Sequence, residues 1–196
     1  MELIVATQNP GKIREIREIL RGLKDRIIPI SELYPDFDVE EDGQTYVENA
    51  SKKALAAARL TGRPAMADDS GLEVRALGGA PGVVSARFGG KSLPQPEKNR
   101  RLLESLQGAQ DRSARFVCVI AVATPEGRVE TAEGICEGRI GFEEQGKGGF
   151  GYDPIFVVEG YGKTMAQLDP EIKNKISHRA KALMKISEVL PSLGVR

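Results

Sequence analysis

The residues best able to do chemistry lie in four short polar stretches of the 196-residue chain. Asp68 and Asp69 stand side by side in Ala67-Asp68-Asp69-Ser70-Gly71, directly after an apolar segment. Two carboxylates brought together repel unless a cation or a proton separates them. Mg2+ is the usual solution, held by one or two carboxylates together with phosphate oxygens and water. Successive side chains on an extended backbone point to opposite faces, so one of the pair is expected to face such a site. The same Asp-Asp-Ser-Gly run also has the composition of a surface turn. Glu40-Glu41-Asp42 is a second acidic group that can supply a further ligand, or simply be solvated.

The other three stretches carry donors and flat rings. Thr7-Gln8-Asn9-Pro10-Gly11-Lys12 links an apolar run to a helical pattern. A helix N-terminus offers unpaired N–H groups and a partial positive charge, and a lysine beside it suits phosphate. The stretch is not a Walker loop; its plain structural reading is an Asn-Pro-Gly turn capping a helix, with Lys12 in solvent. In Gly148-Gly149-Phe150-Gly151-Tyr152-Asp153-Pro154, glycines allow close backbone approach and an aromatic ring can stack on a base. Asp153 either accepts from a ring N–H or starts the turn before Pro154. The last stretch is Lys173 with Ser177-His178-Arg179. Ser177 is a natural N-cap, but His178 and Arg179 set cations against the positive end of a helix dipole. They make sense there if they face an acceptor-rich ligand.

Composition removes several other chemistries. The 28 Lys and Arg balance 28 Asp and Glu, so the formal charge is zero. Duplex nucleic acid and anionic membranes reward a basic face and are disfavoured as partners; a small anion held by a few cations is not. One histidine and two cysteines, Cys118 and Cys136, leave no CxxC, no HExxH and no multi-histidine zinc site. The cysteines read as reduced core thiols on neighbouring strands. No cationic segment followed by an apolar one opens the chain, and no 18-residue apolar run occurs. A cytoplasmic protein is expected.

These stretches need elements to position them. Leu3-Ile4-Val5-Ala6 reads as a strand, and Ile13, Ile16, Ile19, Leu20 and Leu23 recur at helical spacing. A second strand is expected over 26–30. Thr45 and Glu48 have capping-box spacing, and the alanine-rich run to Leu60 stops before Gly62, which makes a helix. A short strand over 64–67 leads into the acidic pair, and extended structure resumes over 72–74. A helix over 96–106, a nearly continuous apolar strand over 115–123, a hairpin return over 128–136, a strand over 155–158 and a helix over 177–190 complete a mixed α/β fold.

Together the four stretches resemble the inosine/xanthosine triphosphate pyrophosphatase family, the house-cleaning enzymes for deaminated purine nucleotides. The likeness rests on residues 7–12, 45–54 (Thr45-Tyr46-Val47-Glu48-Asn49-Ala50 with Lys53), 67–72, 78–88, 150–156 and 177–179, in the family's order along essentially the whole chain. It implies one domain over 1–196, an elongated α/β fold of two lobes with the active site in the cleft between them, and usually a homodimer. It also implies Mg2+-dependent hydrolysis of ITP, dITP and XTP to the monophosphate and pyrophosphate. Carried over by position, Thr7, Gln8, Asn9, Pro10, Gly11, Lys12 and Lys53 belong to the phosphate site, and Asp69 is the metal-linked general base. Glu40 or Glu41 is the second metal ligand, with Glu40 the residue assigned. Ser70 contacts substrate, and Phe150, Gly151, Tyr152, Asp153, Lys173, His178 and Arg179 surround the base.

The chemistry agrees with that resemblance. Splitting a phosphoanhydride needs charge neutralisation and an in-line water more than a covalent nucleophile. Inosine and xanthosine carry an acceptor at O6 where adenine has an amino donor, so a pocket of donors discriminates against adenine. Two alternatives stand beside this reading. One is a related pyrophosphatase for modified pyrimidine or methylated nucleotides; the other is a nucleotide-binding module without turnover, against which the paired carboxylates argue.

Overall fold

The computed structural model describes residues 2–90 and 92–195, apart from the side chains at positions 24 and 25. In chain order it contains β1 (Leu3–Val5), α1 (Pro10–Ile19), β2 (Ile27–Pro29), α2 (Tyr46–Thr61), β3 (Ala65–Val74), α3 (Gln95–Ser105), β4 (Ser113–Ala123), β5 (Val129–Ile140), β6 (Phe156–Val158), α4 (Pro170–Ile176) and α5 (His178–Ser187). Short 3-10 turns fill several connections. The strands form one sheet in the order β2-β1-β3-β4-β5-β6. β1 runs parallel to both β2 and β3, with Leu3 opposite Ile27 and Ile4 opposite Ala65. β5 and β6 are antiparallel, so the sheet is mixed as expected.

Local sequence explains most of this. β1 is apolar at all three positions and buried at all three, as an interior strand covered on both faces must be. β2 ends on Pro29 at the sheet edge, where a missing N–H costs least. β4 buries every residue from Phe116 to Ala123.

Two expectations change. Asp68-Asp69-Ser70-Gly71 is not a turn: β3 passes straight through it, and both carboxylates are buried. A strand tolerates this because each acid finds partners from distant segments. The closing helix, expected over 177–190, is α5, which begins after the extended Ser177 and ends at Ser187, but a separate helix that was not expected, α4, precedes it. Lys173 therefore rides on a short helix of its own, ahead of the expected one.

The chain packs as two compact units, one made of Met1–Asp69, Cys118–Gly134 and His178–Arg196, the other of Ser70–Val117 and Ile135–Ser177. Each has its own core. Leu3, Val5, Ile16, Ile120, Leu183 and Ile186 anchor the first. Leu72, Val74, Leu102, Ile140 and the tilted ring pair Phe116–Phe156, with centroids 4.4 Å apart, anchor the second. Cys118 and Cys136 are buried free thiols, one in each core, and burial pushes the Cys118 thiol up to about 12.

Candidate active site

In the first unit the site is organised by the start of α2. The Thr45 hydroxyl accepts from the Glu48 N–H at 3.2 Å, and Glu48 Oε2 accepts from the Thr45 N–H at 3.0 Å and the Gln44 N–H at 2.7 Å. This reciprocal cap fixes where the helix begins. Asn49 and Lys53 follow one turn apart, so both project on one side of the helix. Asn49 Nδ2 donates to Asp69 Oδ2 at 3.0 Å, and its Oδ1 accepts from the Gly43 N–H at 2.9 Å. Lys53 Nζ donates to Glu41 Oε1 at 2.5 Å and to the Asp68 carbonyl at 2.7 Å, and lies 4.0 Å from Asp69 Oδ1. Burial raises the Asp69 carboxyl above the usual carboxylate range and the nearby Glu41 charge adds to the rise, although Lys53 and Asn49 oppose it. Burial favours the neutral form of Lys53, yet Asp68, Glu41 and Asp69 outweigh it and raise its pKa.

Asp68 has different company. Its Oδ2 lies 3.0 Å from Lys12 Nζ on α1 and 2.9 Å from the Arg179 guanidinium on α5. Arg179 also donates to Glu15 Oε2 at 2.6 Å and is only 2% exposed. Burial alone would raise the Asp68 carboxyl, but Lys12, Arg179 and Lys53 together hold it far below the ordinary range.

The loop before α1 differs in detail from expectation. Pro10 is the first helical residue, and Asn9 Oδ1 accepts from the Gly11 N–H at 2.9 Å and the Lys12 N–H at 3.2 Å. The Gly11 and Lys12 amides of the first turn are thus already partnered. Lys12 is not in solvent but on Asp68. The Thr7 hydroxyl accepts from the Asn9 N–H at 3.2 Å. Gln8 Nε2 donates to the carbonyls of Pro35 (3.3 Å) and Phe37 (2.8 Å), so its amide tethers the segment that leads to the acidic residues.

In the second unit, Asp153 Oδ2 accepts from the Phe150 N–H at 2.8 Å and from Lys173 Nζ at 2.6 Å. The Lys173 ammonium also sits 4.8 Å from the centre of the Phe150 ring, a cation–π contact. Tyr152 is buried and its hydroxyl donates to the Ser85 carbonyl at 2.9 Å, while the Gly151 carbonyl accepts from Asn99 Nδ2 at 3.3 Å. Glycine is required at 149: its φ is +69°, and a Cβ would fall 2.0 Å from Asp153 Oδ2. Ser70 is half-buried on β3.

Two of the candidate residues are distinguished by their surroundings. Glu40 is exposed, whereas Glu41 is the carboxylate drawn to Lys53 beside Asp69. The acceptors facing Arg179 at the start of α5 are Asp68 and Glu15 of the protein itself, which also offsets its unfavourable place on the helix dipole. Lys12, Lys53, Asp68 and Asp69 do come together, as do Phe150, Asp153 and Lys173. Asn49, which the sequence placed in a matching stretch without a role, and Glu15, which it did not single out, join them. Asn49 carries a signal, a short amide one helical turn before a lysine on the same face; Glu15 carries none. Among the described residues no three His, Cys, Asp or Glu side chains are arranged so that together they could hold a metal ion, and no helix is long and apolar enough to cross a membrane.

Comparison with known proteins shows the family of the chain. The model of the Ham1 family matches residues 3–189. A dITP/XTP pyrophosphatase of Desulforamulus reducens is 56% identical over 100% of this chain and 98% of its own length. Among solved structures, a HAM1 protein from Coxiella burnetii matches with a TM-score of 0.88 and 47% identity, covering 98% of this chain and 99% of that one. The Staphylococcus aureus Ham1 protein matches with a TM-score of 0.87 and 44% identity, covering 98% and 100%. With the family pattern running from the first strand into the last helix and the same fold in its solved members, the chain belongs to the Ham1 family.

Proposed function

We propose that this chain is a nucleoside triphosphate pyrophosphatase that hydrolyses the deaminated purine nucleotides ITP, dITP and XTP to the monophosphate and pyrophosphate. The observation that carries the chemistry is the raised, buried Asp69 carboxylate held between Asn49 and Lys53. The likeness to proteins named dITP/XTP pyrophosphatase supports the substrate class.

Asp69 and Glu41 offer hard oxygen donors of the kind Mg2+ takes, and the balance of charge fits a divalent ion. Lys12, Lys53 and Arg179 face Glu15, Glu41, Asp68 and Asp69, three cations against four carboxylates. A bare triphosphate gains no net attraction from that group, whereas a divalent cation on Asp69 and Glu41 reverses the balance. Mg2+ supplies charge neutralisation of the phosphates and polarisation of the bond to be cut.

The chain's own residues do the rest. Lys12 and Lys53 turn their ammonium groups to phosphate oxygens, and Thr7 and Asn9 add neutral contacts. Asp69 takes a proton from water as the water oxygen bonds to the α-phosphorus and pyrophosphate departs with the bridging oxygen. Phe150 stacks on the purine, and Lys173 and His178 present donors to O6. Arg179 acts through its neighbours, tying Asp68 and the first turn of α5, which bears His178. The enzyme acts as a cytoplasmic homodimer, which sedimentation of the purified protein and fractionation of cells check.

The deciding experiment measures products from ITP with and without Mg2+. Pyrophosphate in a Mg2+-dependent reaction, with far slower turnover of ATP, is expected. Orthophosphate as the first product overturns the reading.

A further inference from the structure

We infer that Asn49 is a positioning residue that sets the separation of the Asp69 and Glu41 carboxylates. The inference rests on the reading above, in which those two acids hold the metal.

Asn49 is 1% exposed on α2. A buried side-chain amide must place both its donor and its acceptor, since leaving either unmade costs free energy. Asn49 does so on two different segments. Its Nδ2 donates to Asp69 Oδ2 on β3, and its Oδ1 accepts from the Gly43 N–H in the loop that carries Glu41. A single planar group thus spans the strand that brings one carboxylate and the loop that brings the other.

The loop side is built for this contact. Gly43 does not have a positive φ, so glycine is not there for backbone freedom. It is there for space: a Cβ would stand 2.6 Å from Asn49 Oδ1 and 2.9 Å from Glu48 Cβ. The strand side is directional as well. With Oδ2 committed to Asn49, Oδ1 is the oxygen on the Lys53 side, where Glu41 is also drawn. Lys53 touches the same acids, bonding Glu41 Oε1 and standing 4.0 Å from Asp69 Oδ1, but its compact, rotatable ammonium fixes direction less than a planar amide does. Mg2+ tolerates little departure from octahedral geometry, so two carboxylates serve it only at a fixed spacing.

The test uses two variants that break the bridge from opposite ends, Asn49→Ala and Gly43→Ala. In each, the Mg2+ concentration for half-maximal pyrophosphate release should rise roughly tenfold or more, in line with the loss of a group that orients a metal ligand. The KM for ITP at saturating Mg2+ should stay within about threefold of the unmodified protein. Without nucleotide, the rise in melting temperature on adding Mg2+ should shrink in both. The double variant should be no worse than the more severe single one, because both remove one interaction.

A folded variant with an unchanged Mg2+ response, or additive losses in the double variant, overturns the inference. Should Asn49→Ala fail to fold, Gly43→Ala leaves the amide in place and carries the test alone. Unmodified protein that releases pyrophosphate without Mg2+ overturns the metal reading itself, and this distinguishes that failure from failure of the Asn49 assignment.

Discussion

Asp68 and Asp69 are consecutive on β3, yet their carboxylates answer to different helices. Asp68 meets Lys12 of α1 and Arg179 of α5, while Asp69 meets Asn49 and Lys53 of α2. The alternation of side chains along a strand makes this division, and the electrostatics mirror it. Asp68 is held ionised by its cations, and Asp69 is raised by burial and by Glu41. One acid is committed to structure, and its neighbour is left able to exchange a proton.

Asp69→Asn should abolish most turnover, by at least the ~10²-fold of a positioned base, without unfolding the protein. Its effect on stability has a predictable sign. A raised folded pKa means the fold disfavours the ionised form, so Asp69 subtracts stability once the pH exceeds its unfolded value near 3.8. The variant should therefore melt at the same or a higher temperature at neutral pH, with the difference vanishing below the ordinary carboxylate range. Turnover near normal in a folded variant would move the base elsewhere.

Asp68→Asn should show the opposite trend. A depressed folded pKa gives stability that is fully present above the unfolded value of 3.8 and is lost as pH falls toward the folded one. Urea midpoints at neutral pH should favour the unmodified protein clearly, and the gap should close as the pH drops through 4 and below. A gap independent of pH would mean that the charge of Asp68 contributes nothing.

Local signals are legible in this chain and distant partnerships are not. The Thr45/Glu48 cap of α2 lies within four residues and can be read directly, as can the apolar run that forms β4. The acidic pair looks like a turn because the residues that satisfy it, Lys12, Asn49 and Arg179, stand far away in sequence. α4 has only seven residues, three of them charged, and gives little periodic pattern to detect. At Arg179 the sequence supplies a sound question, why a cation opposes a helix dipole, but two buried carboxylates supply the answer, and nothing in the chain links Asp68 or Glu15 to Arg179.

Arg179→Ala should be among the most destabilising single changes in the protein. It removes a guanidinium that is 2% exposed and strips partners from Asp68 and Glu15. Breaking a buried ion pair in this way costs about 3–5 kcal/mol, and denaturant unfolding reads it. Stability within experimental error of the unmodified protein would return Arg179 to a direct role on the base.

Phe150→Ala should weaken binding of every nucleotide by roughly 1–3 kcal/mol, since a ring stacks on any base. Inorganic triphosphate has no base, so its inhibition of turnover should be unchanged. Equal weakening of both would place Phe150 in the support of Lys173, over which it lies.

The pairing of Lys12 with Asp68 and of Lys53 with Glu41 also bears on product release, once the bond is cut. In the proposed phosphate site each ammonium has a carboxylate tethered beside it, ready to return when a phosphate oxygen lets go. These acids act as built-in competitors of the leaving anion, present at every turnover and unable to diffuse away. The site is therefore expected to clear itself of pyrophosphate, and to resist clogging by the many free phosphates of a cell, because a simple anion must displace a resident partner to stay.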